Sequence, residues 1–138
     1  MYQLDIEQTL NTPIQQVFNA WTQAELIKAW FAPGDMTVPE AYSEPSTGGK
    51  YKIVMQEPDG EQHIVDGEFK RVIPFHTLHF TWQWQDSPNT TLVIINLTEV
   101  NENTTLLKLN HSEFTEAEFR DKHQHGWLSC LANLQKVA

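Results

Sequence analysis

The stretch TEAEFRDKHQHGWLSCLANLQKVA, residues 115–138, predicts one long amphipathic helix. Thr115 followed by Glu118 has the spacing of a capping box, which marks a helix N-terminus. Spacings of three and four place six side chains on one face, which is apolar apart from its histidine: Phe119, His123, Trp127, Cys130, Leu131 and Leu134. Beside this face, Gly126 lowers helix propensity by about 1 kcal/mol relative to Ala and leaves room for a second backbone to approach.

The first third of the chain predicts one strand and two short helices. Residues 2–9 alternate between apolar and polar side chains, as in a half-buried strand. Two capping signals follow, Thr12 to Gln15 and Thr22 to Glu25, and each of them predicts the start of a helix. Residues 32–34, Ala-Pro-Gly, end the second helix because proline and glycine break its pattern.

Strand and turn signals fill the chain from Met36 to Ser112. Turn residues at 58–60, 86–89 and 101–103 separate the strands, and the hairpin spacing predicts an antiparallel sheet of about six or seven strands counting the first. Residues 93–95 are apolar on both faces, which predicts a strand that lies centrally in the sheet or under the pair of short helices. The fold class is therefore α+β, with one long terminal helix packed across the sheet. A single helix on a curved sheet tends to leave a hollow, where a small molecule can bind.

Length, charge and cysteine content limit the function. At 138 residues with a net charge of −9, the sequence fits one domain, residues 1–138, and disfavours nucleic acid and anionic membranes, which attract clusters of Lys and Arg. A single cysteine excludes an internal disulfide and suits a reducing compartment. Residues 1–10 lack the pattern of a signal peptide, and no stretch resembles a membrane span. We therefore expect a cytoplasmic monomer or homodimer.

Several short segments, in order along nearly the whole chain, resemble one known family. They are NTP (11–13), VFNAW (17–21), WFAP (30–33), GGKY (48–51), DG (59–60), GEF (67–69), IP (73–74), LHFTW (78–82), HSEF (111–114) and HGW (125–127). This order is similar to that of domains related to the C-terminal domain of the activator of the heat-shock-protein-90 ATPase. That family belongs to the START-like, helix-grip (SRPBCC) superfamily, which also holds the birch-pollen allergen type. The resemblance implies the helix-grip fold, and its members include chaperone co-regulators, lipid or polyketide binders and cyclase-like proteins.

Two histidines are candidates for contact with a ligand in the hollow. His111 shares a strand face with Leu107 and Leu109, and His123 lies on the buried face of the long helix. Imidazole titrates near neutral pH, so the two rings can orient a polar group or act as acid and base. The alternative is that each ring donates a hydrogen bond within the core and serves packing alone.

Aromatic side chains supply the remaining candidates for the lining of a pocket. These are Trp30, Phe31, Phe69, Trp82, Trp84, Phe114 and Trp127. We expect Trp30 and Phe31 to lie near the mouth of the hollow. Trp82 and Trp84 share one face of a predicted strand, and Phe114 precedes the long helix and can set its entry angle. The alternative is that these rings simply fill the core.

Metal and nucleophile signals are weak. His123 and His125 project roughly 200° apart on a helix and cannot chelate one ion, and there is no Cys pair. The acidic residues at 57, 59 and 61 cluster at a turn, where solvated charge is the usual explanation. Cys130 is expected to be buried and inert, and no Gly-x-Ser-x-Gly motif occurs. We therefore expect no metal and no cofactor, and we assign no catalytic residue.

Three functional hypotheses remain, in order of preference. The first is a non-enzymatic module that binds a small hydrophobic or amphipathic molecule between the sheet and the long helix. The second is a chaperone co-regulator or stress-related protein-binding domain with a chaperone as its partner, which the resemblance suggests. The third is a cyclase-like or hydrolase-like enzyme with His111 or His123 as general base. It ranks last because the sequence offers neither histidine an orienting carboxylate.

Overall fold

The computed structural model describes residues 1–137, and these form seven strands and three helices. In chain order the elements are β1 (Tyr2–Leu10), α1 (Ile14–Thr22), α2 (Ala24–Ile27), β2 (Thr37–Ser43), β3 (Lys50–Gln56), β4 (Gln62–Ile73), β5 (Thr77–Trp84), β6 (Thr91–Asn101), β7 (Thr104–Phe114) and α3 (Ala117–Val137). Ala138, the last residue of the predicted long helix, lies outside the described residues. No helix within residues 1–137 has the length and apolar character needed to cross a lipid bilayer.

All seven strands join one antiparallel sheet in the order β1-β7-β6-β5-β4-β3-β2. The α+β helix-grip architecture is thus confirmed, with two short helices after the first strand. Strand β6 is an interior strand in which Val93 and Ile95 are fully buried, as its apolar run predicts. The β3–β4 hairpin turns at Gly60, whose φ of +95° suits glycine above all other residues.

Helix α3 packs on β1 and β7 through its second half. Trp127, Cys130, Leu131 and Leu134 are its buried residues, so this part of the predicted apolar face is confirmed. The expected face is wrong at its first position, because Phe119 is 41% exposed. The expected backbone contact at Gly126 is also wrong: no neighbouring heavy atom lies within 4 Å of the place where its Cβ would be.

The predicted threonine caps are wrong at all three helices. Pro13 occupies the position before α1, while the Thr12 hydroxyl is buried without a hydrogen-bond partner. The Thr22 hydroxyl donates to the carbonyl of Phe18 within α1, and Gln23 occupies the position before α2, where no side chain caps the helix. Thr115 lies two residues before the first helical residue of α3. The capping pattern therefore located these helices to within two residues but misassigned the hydroxyls.

Candidate functional site

An open pocket of about 760 Å³ lies between the first half of α3 and strands β3, β4 and β5. It exists because only the second half of α3 is buried against the sheet, over β1 and β7. From α3 the pocket is lined at spacings of three and four by Phe119, Lys122, His123, Gly126, Trp127 and Cys130. The strands opposite contribute Met55, Ile64, Trp82 and Trp84.

The third wall of the pocket is the segment that follows α2. Phe31, Pro33 and Met36 line it from this side. Two hydrogen bonds fasten the segment to α3: the Gly34 amide donates to Ser129 Oγ at 2.9 Å, and Asn133 Nδ2 donates to the Ala32 carbonyl at 2.9 Å. These bonds join residues that are far apart in sequence, and they hold the wall against the half of α3 that is itself packed on the sheet.

Aromatic rings form the floor of the pocket. The ring centroids of Trp82 and Trp127 lie 5.1 Å apart, and those of Phe31 and Trp127 lie 5.5 Å apart. Trp84 stands nearly perpendicular to Trp82, at an interplanar angle of 89°. The indole N–H of Trp82 is buried without a hydrogen-bond partner. The rings therefore pack edge to face and tilted against one another, and the space above them stays open.

His123 is held between α3 and β5. The Trp84 indole N–H donates to His123 Nε2 at 2.9 Å, so Nδ1 carries the ring proton and donates to the Phe119 carbonyl at 2.7 Å. Burial lowers the pKa of His123, while the hydrogen bond to Phe119 partly opposes this. Both ring nitrogens are thus occupied in the neutral state.

His111 is fully buried beneath α3, on β7. The Trp127 indole N–H donates to His111 Nδ1 at 3.0 Å, so Nε2 carries the proton and donates to Thr91 Oγ1 at 2.7 Å. The Thr91 hydroxyl in turn donates to the carbonyl of Trp82 at 3.3 Å. Burial, and to a smaller degree the nearby ring of His123, lowers the pKa of His111 to about 2. This ring is a neutral crosslink between β7, β6 and α3.

Five of the nine predicted contact residues line the pocket: Phe31, Trp82, Trp84, His123 and Trp127. The other four candidates lie outside its lining: Trp30, Phe69, Phe114 and His111, whose buried position is described above. Trp30 is only 2% exposed and donates to the Ala20 carbonyl at 2.9 Å, so the expectation that it lies near the mouth is wrong.

Phe69 packs against Tyr51 and Phe80 in the core. The ring centroid of Phe114 lies 4.4 Å from that of His111 and 5.0 Å from that of His123, so Phe114 packs against both histidines.

The rim of the pocket is polar, and no pattern in the sequence predicted it. Gln62, His63, Gln85, Asp86 and Lys122 lie there. They come from the ends of β4 and β5 and from the first turns of α3. Because they carry no motif, only the position of the β3–β4 hairpin across the pocket from α3 identifies them.

One group of potential metal ligands lies near this rim. Glu57, Glu61 and His63 place ligand atoms within 4.8 Å of one another, and His63 Nε2 lies 2.8 Å from Glu57 Oε2. The spacing of the acidic residues alone did not predict the part of His63, which pairs with Glu57 across the hairpin. Side chains this exposed commonly form such ion pairs without a metal, so the cluster is not assigned as a metal site.

The seven-stranded sheet, the long terminal helix across it and the pocket between them define a helix-grip protein of the START-like superfamily. Residues 11–138 match the sequence model of one family within this class, described as activator of Hsp90 ATPase homolog 1-like protein, and the chain belongs to that family. No curated protein matches the sequence.

Solved structures share the fold over nearly the whole chain. A protein of Chromobacterium violaceum superposes with a TM-score of 0.89 at 16% identity, covering 100% of this chain and 98% of that one. An AHSA1 protein of Silicibacter pomeroyi gives a TM-score of 0.88 at 23% identity, with 98% and 96% covered. A Plasmodium falciparum protein described as an Hsp90 activator gives 0.76 at 20% identity, with 99% and 96% covered. At these identities the likeness concerns the fold alone.

Proposed function

We propose that this protein binds a small hydrophobic or amphipathic molecule in the pocket between α3 and strands β3–β5. The observation that carries the proposal is the pocket itself. Its volume of about 760 Å³ falls in the range typical of small-molecule sites. The protein would act in the cytoplasm as a single domain, residues 1–138, that is a monomer or a homodimer.

The lining divides the pocket into an apolar interior and a polar rim. Trp82, Trp84, Trp127 and the methionines at 36 and 55 offer contact surface to an apolar ligand body. Burying ~200 Å² of apolar ligand surface there contributes about 5 kcal/mol, before the entropic cost of association. A polar end of the ligand would lie at the rim, where amide, carboxylate and ammonium groups are available. This arrangement suits an amphipathic molecule that enters body first.

The hydrogen bonds of the two histidines argue against an acid–base enzyme. Each ring nitrogen of His111 and His123 already has a partner, and no carboxylate is among those partners. A general base needs a free lone pair within reach of the substrate. Both rings therefore support the proposed site as positioning groups, which hold Trp127 and Trp84 in place.

Titration with the neutral fluorescent probe N-phenyl-1-naphthylamine tests the proposal. Energy transfer from tryptophan to the probe should rise and saturate at one probe per chain. Phe119→Glu should weaken binding about tenfold, because it removes ~50 Å² of apolar contact at the mouth. Leu128→Glu is the matched control, since Leu128 is 49% exposed on the same helix and lies outside the pocket. No saturable transfer in the unaltered protein, or equal weakening by both substitutions, would contradict the proposal.

The family match favours regulation of a chaperone as the second candidate function. It would require a protein-binding surface, and several exposed apolar side chains are available: Leu26, Tyr42, Phe75, Val100 and Leu128. The test is the ATPase rate of an Hsp90 chaperone with and without an excess of this protein. An unchanged rate, together with no co-elution of the two proteins, would reject this function.

A further inference from the structure

We infer that Gly126 sets the width of the ligand that the pocket accepts, and that its lack of a side chain admits ligands with two or more rings. The inference rests on the proposed function and deepens it. Gly126 lies at the centre of the pocket-facing stripe of α3, flanked by His123 and Trp127. A Cβ at this position would meet no neighbouring heavy atom within 4 Å, so it would stand in open pocket space.

The usual structural reasons for a glycine are missing at this position. Among residues 1–137, the glycines with positive φ are Gly34, Gly48 and Gly60, so no left-handed backbone requires Gly126. Close approach does not require it either, in contrast to Gly67, whose Cβ would lie 2.0 Å from the Thr81 carbonyl oxygen. Nor does Gly126 end the helix, because α3 continues to Val137.

Glycine is nonetheless the poorest helix former after proline, so its presence in the middle of α3 weakens the helix. What the structure gains in exchange is open space between the helix and the aromatic floor. Any larger side chain would occupy part of the space that the pocket leaves open beside α3. We expect the pocket to accept fused or linked aromatic rings at its full volume, and only a slender chain when that space is partly filled.

The test combines stability with probe binding in Gly126→Ala and Gly126→Leu. Gly126→Ala should raise Tm by roughly 3 °C, because it improves helix propensity without a clash. Gly126→Leu should fold with an unchanged or higher Tm and bind N-phenyl-1-naphthylamine about tenfold more weakly. Ala132→Leu is the matched control, since Ala132 is exposed on α3 outside the pocket and should leave the Kd unchanged.

The outcomes separate this inference from the proposed function. Loss of probe binding in the unaltered protein would refute the proposed function, and the inference with it. Normal binding by the unaltered protein together with equally tight binding by a folded Gly126→Leu variant would refute the inference alone. A fall in Tm for Gly126→Ala would also overturn it, because the glycine would then have a packing role. If Gly126→Leu does not fold, Gly126→Ala still tests the inference. A higher Tm together with weaker probe binding would support it, and a lower Tm or an unchanged affinity for the probe would overturn it.

Discussion

Replacing His111 by Gln should remove a large part of the acid sensitivity of this protein. His111 is 0% exposed and neutral, with both ring nitrogens bonded, and its pKa in the folded state is about 2. In the unfolded chain a histidine titrates near pH 6.5. Between these two values the unfolded state binds a proton that the folded state does not. The free energy of unfolding therefore falls as the pH drops below about 6.5.

The magnitude follows from this linkage. The slope approaches about 1.4 kcal/mol per pH unit once the unfolded histidine is protonated, so His111 alone accounts for a loss of about 2 kcal/mol between pH 7 and pH 5. Urea unfolding, followed by circular dichroism at pH 7 and at pH 5, measures the free energy of unfolding at each pH. The unaltered protein should lose about 2 kcal/mol more than His111→Gln does over this interval. His125→Gln, on the exposed side of α3, is the control and should retain the full loss.

The comparison does not depend on how stable His111→Gln is at neutral pH, because only the change with pH enters. His123 faces His111 with ring centroids 5.2 Å apart, and burial lowers its pKa too. It adds a slope of the same sign in both proteins, so it largely cancels in the difference. Equal losses in the unaltered protein and in His111→Gln would show that the buried ring takes up a proton while folded, and would refute the reasoning.

Three further predictions concern single positions. Gly67→Ala should lower the free energy of unfolding by about 2–3 kcal/mol, because its Cβ would lie 2.0 Å from the Thr81 carbonyl oxygen; an unchanged urea midpoint would contradict this. Glu113→Gly should raise stability by about 0.5–1 kcal/mol, because Glu113 has a φ of +71°; a lower urea midpoint would count against it. Burial raises the pKa of the Cys130 thiol to about 12, so iodoacetamide at pH 8 should label the folded protein far more slowly than the unfolded protein by mass spectrometry, and equal rates would disprove this.

Periodicity in the sequence was enough to place the side chains that regular elements carry. Alternation along β5 put Trp82 and Trp84 on the inner face, and helical spacing put His123 and Trp127 opposite them. Both indications are local, because the direction of a side chain on a strand or helix follows from its position in the repeat. Four of the five candidates that line the pocket lie on such elements, and the fifth, Phe31, does not.

Residues outside the regular elements could not be placed in this way. Trp30 follows a four-residue helix. The path of its segment is set by hydrogen bonds that link Gly34 to Ser129 and Ala32 to Asn133, about a hundred residues later in the chain. The rim residues Gln62 and His63 begin β4, and their place at the pocket depends on how the β3–β4 hairpin lies relative to α3. No local pattern encodes such long-range contacts.

The pocket stays open among so many aromatic rings because hydrogen bonds, as well as ring size, fix the positions of these rings. The indole N–H groups of Trp30, Trp84 and Trp127 are each hydrogen-bonded, to the Ala20 carbonyl, to His123 and to His111. If one of these rings turned to fill the open space, its N–H would lose its hydrogen bond. Leaving the buried N–H without a new acceptor would cost about 1–3 kcal/mol of free energy. Burying more ring surface would recover part of that cost, but the apolar interior offers few acceptors. The two histidines therefore help to keep the pocket open, although only His123 is exposed within it.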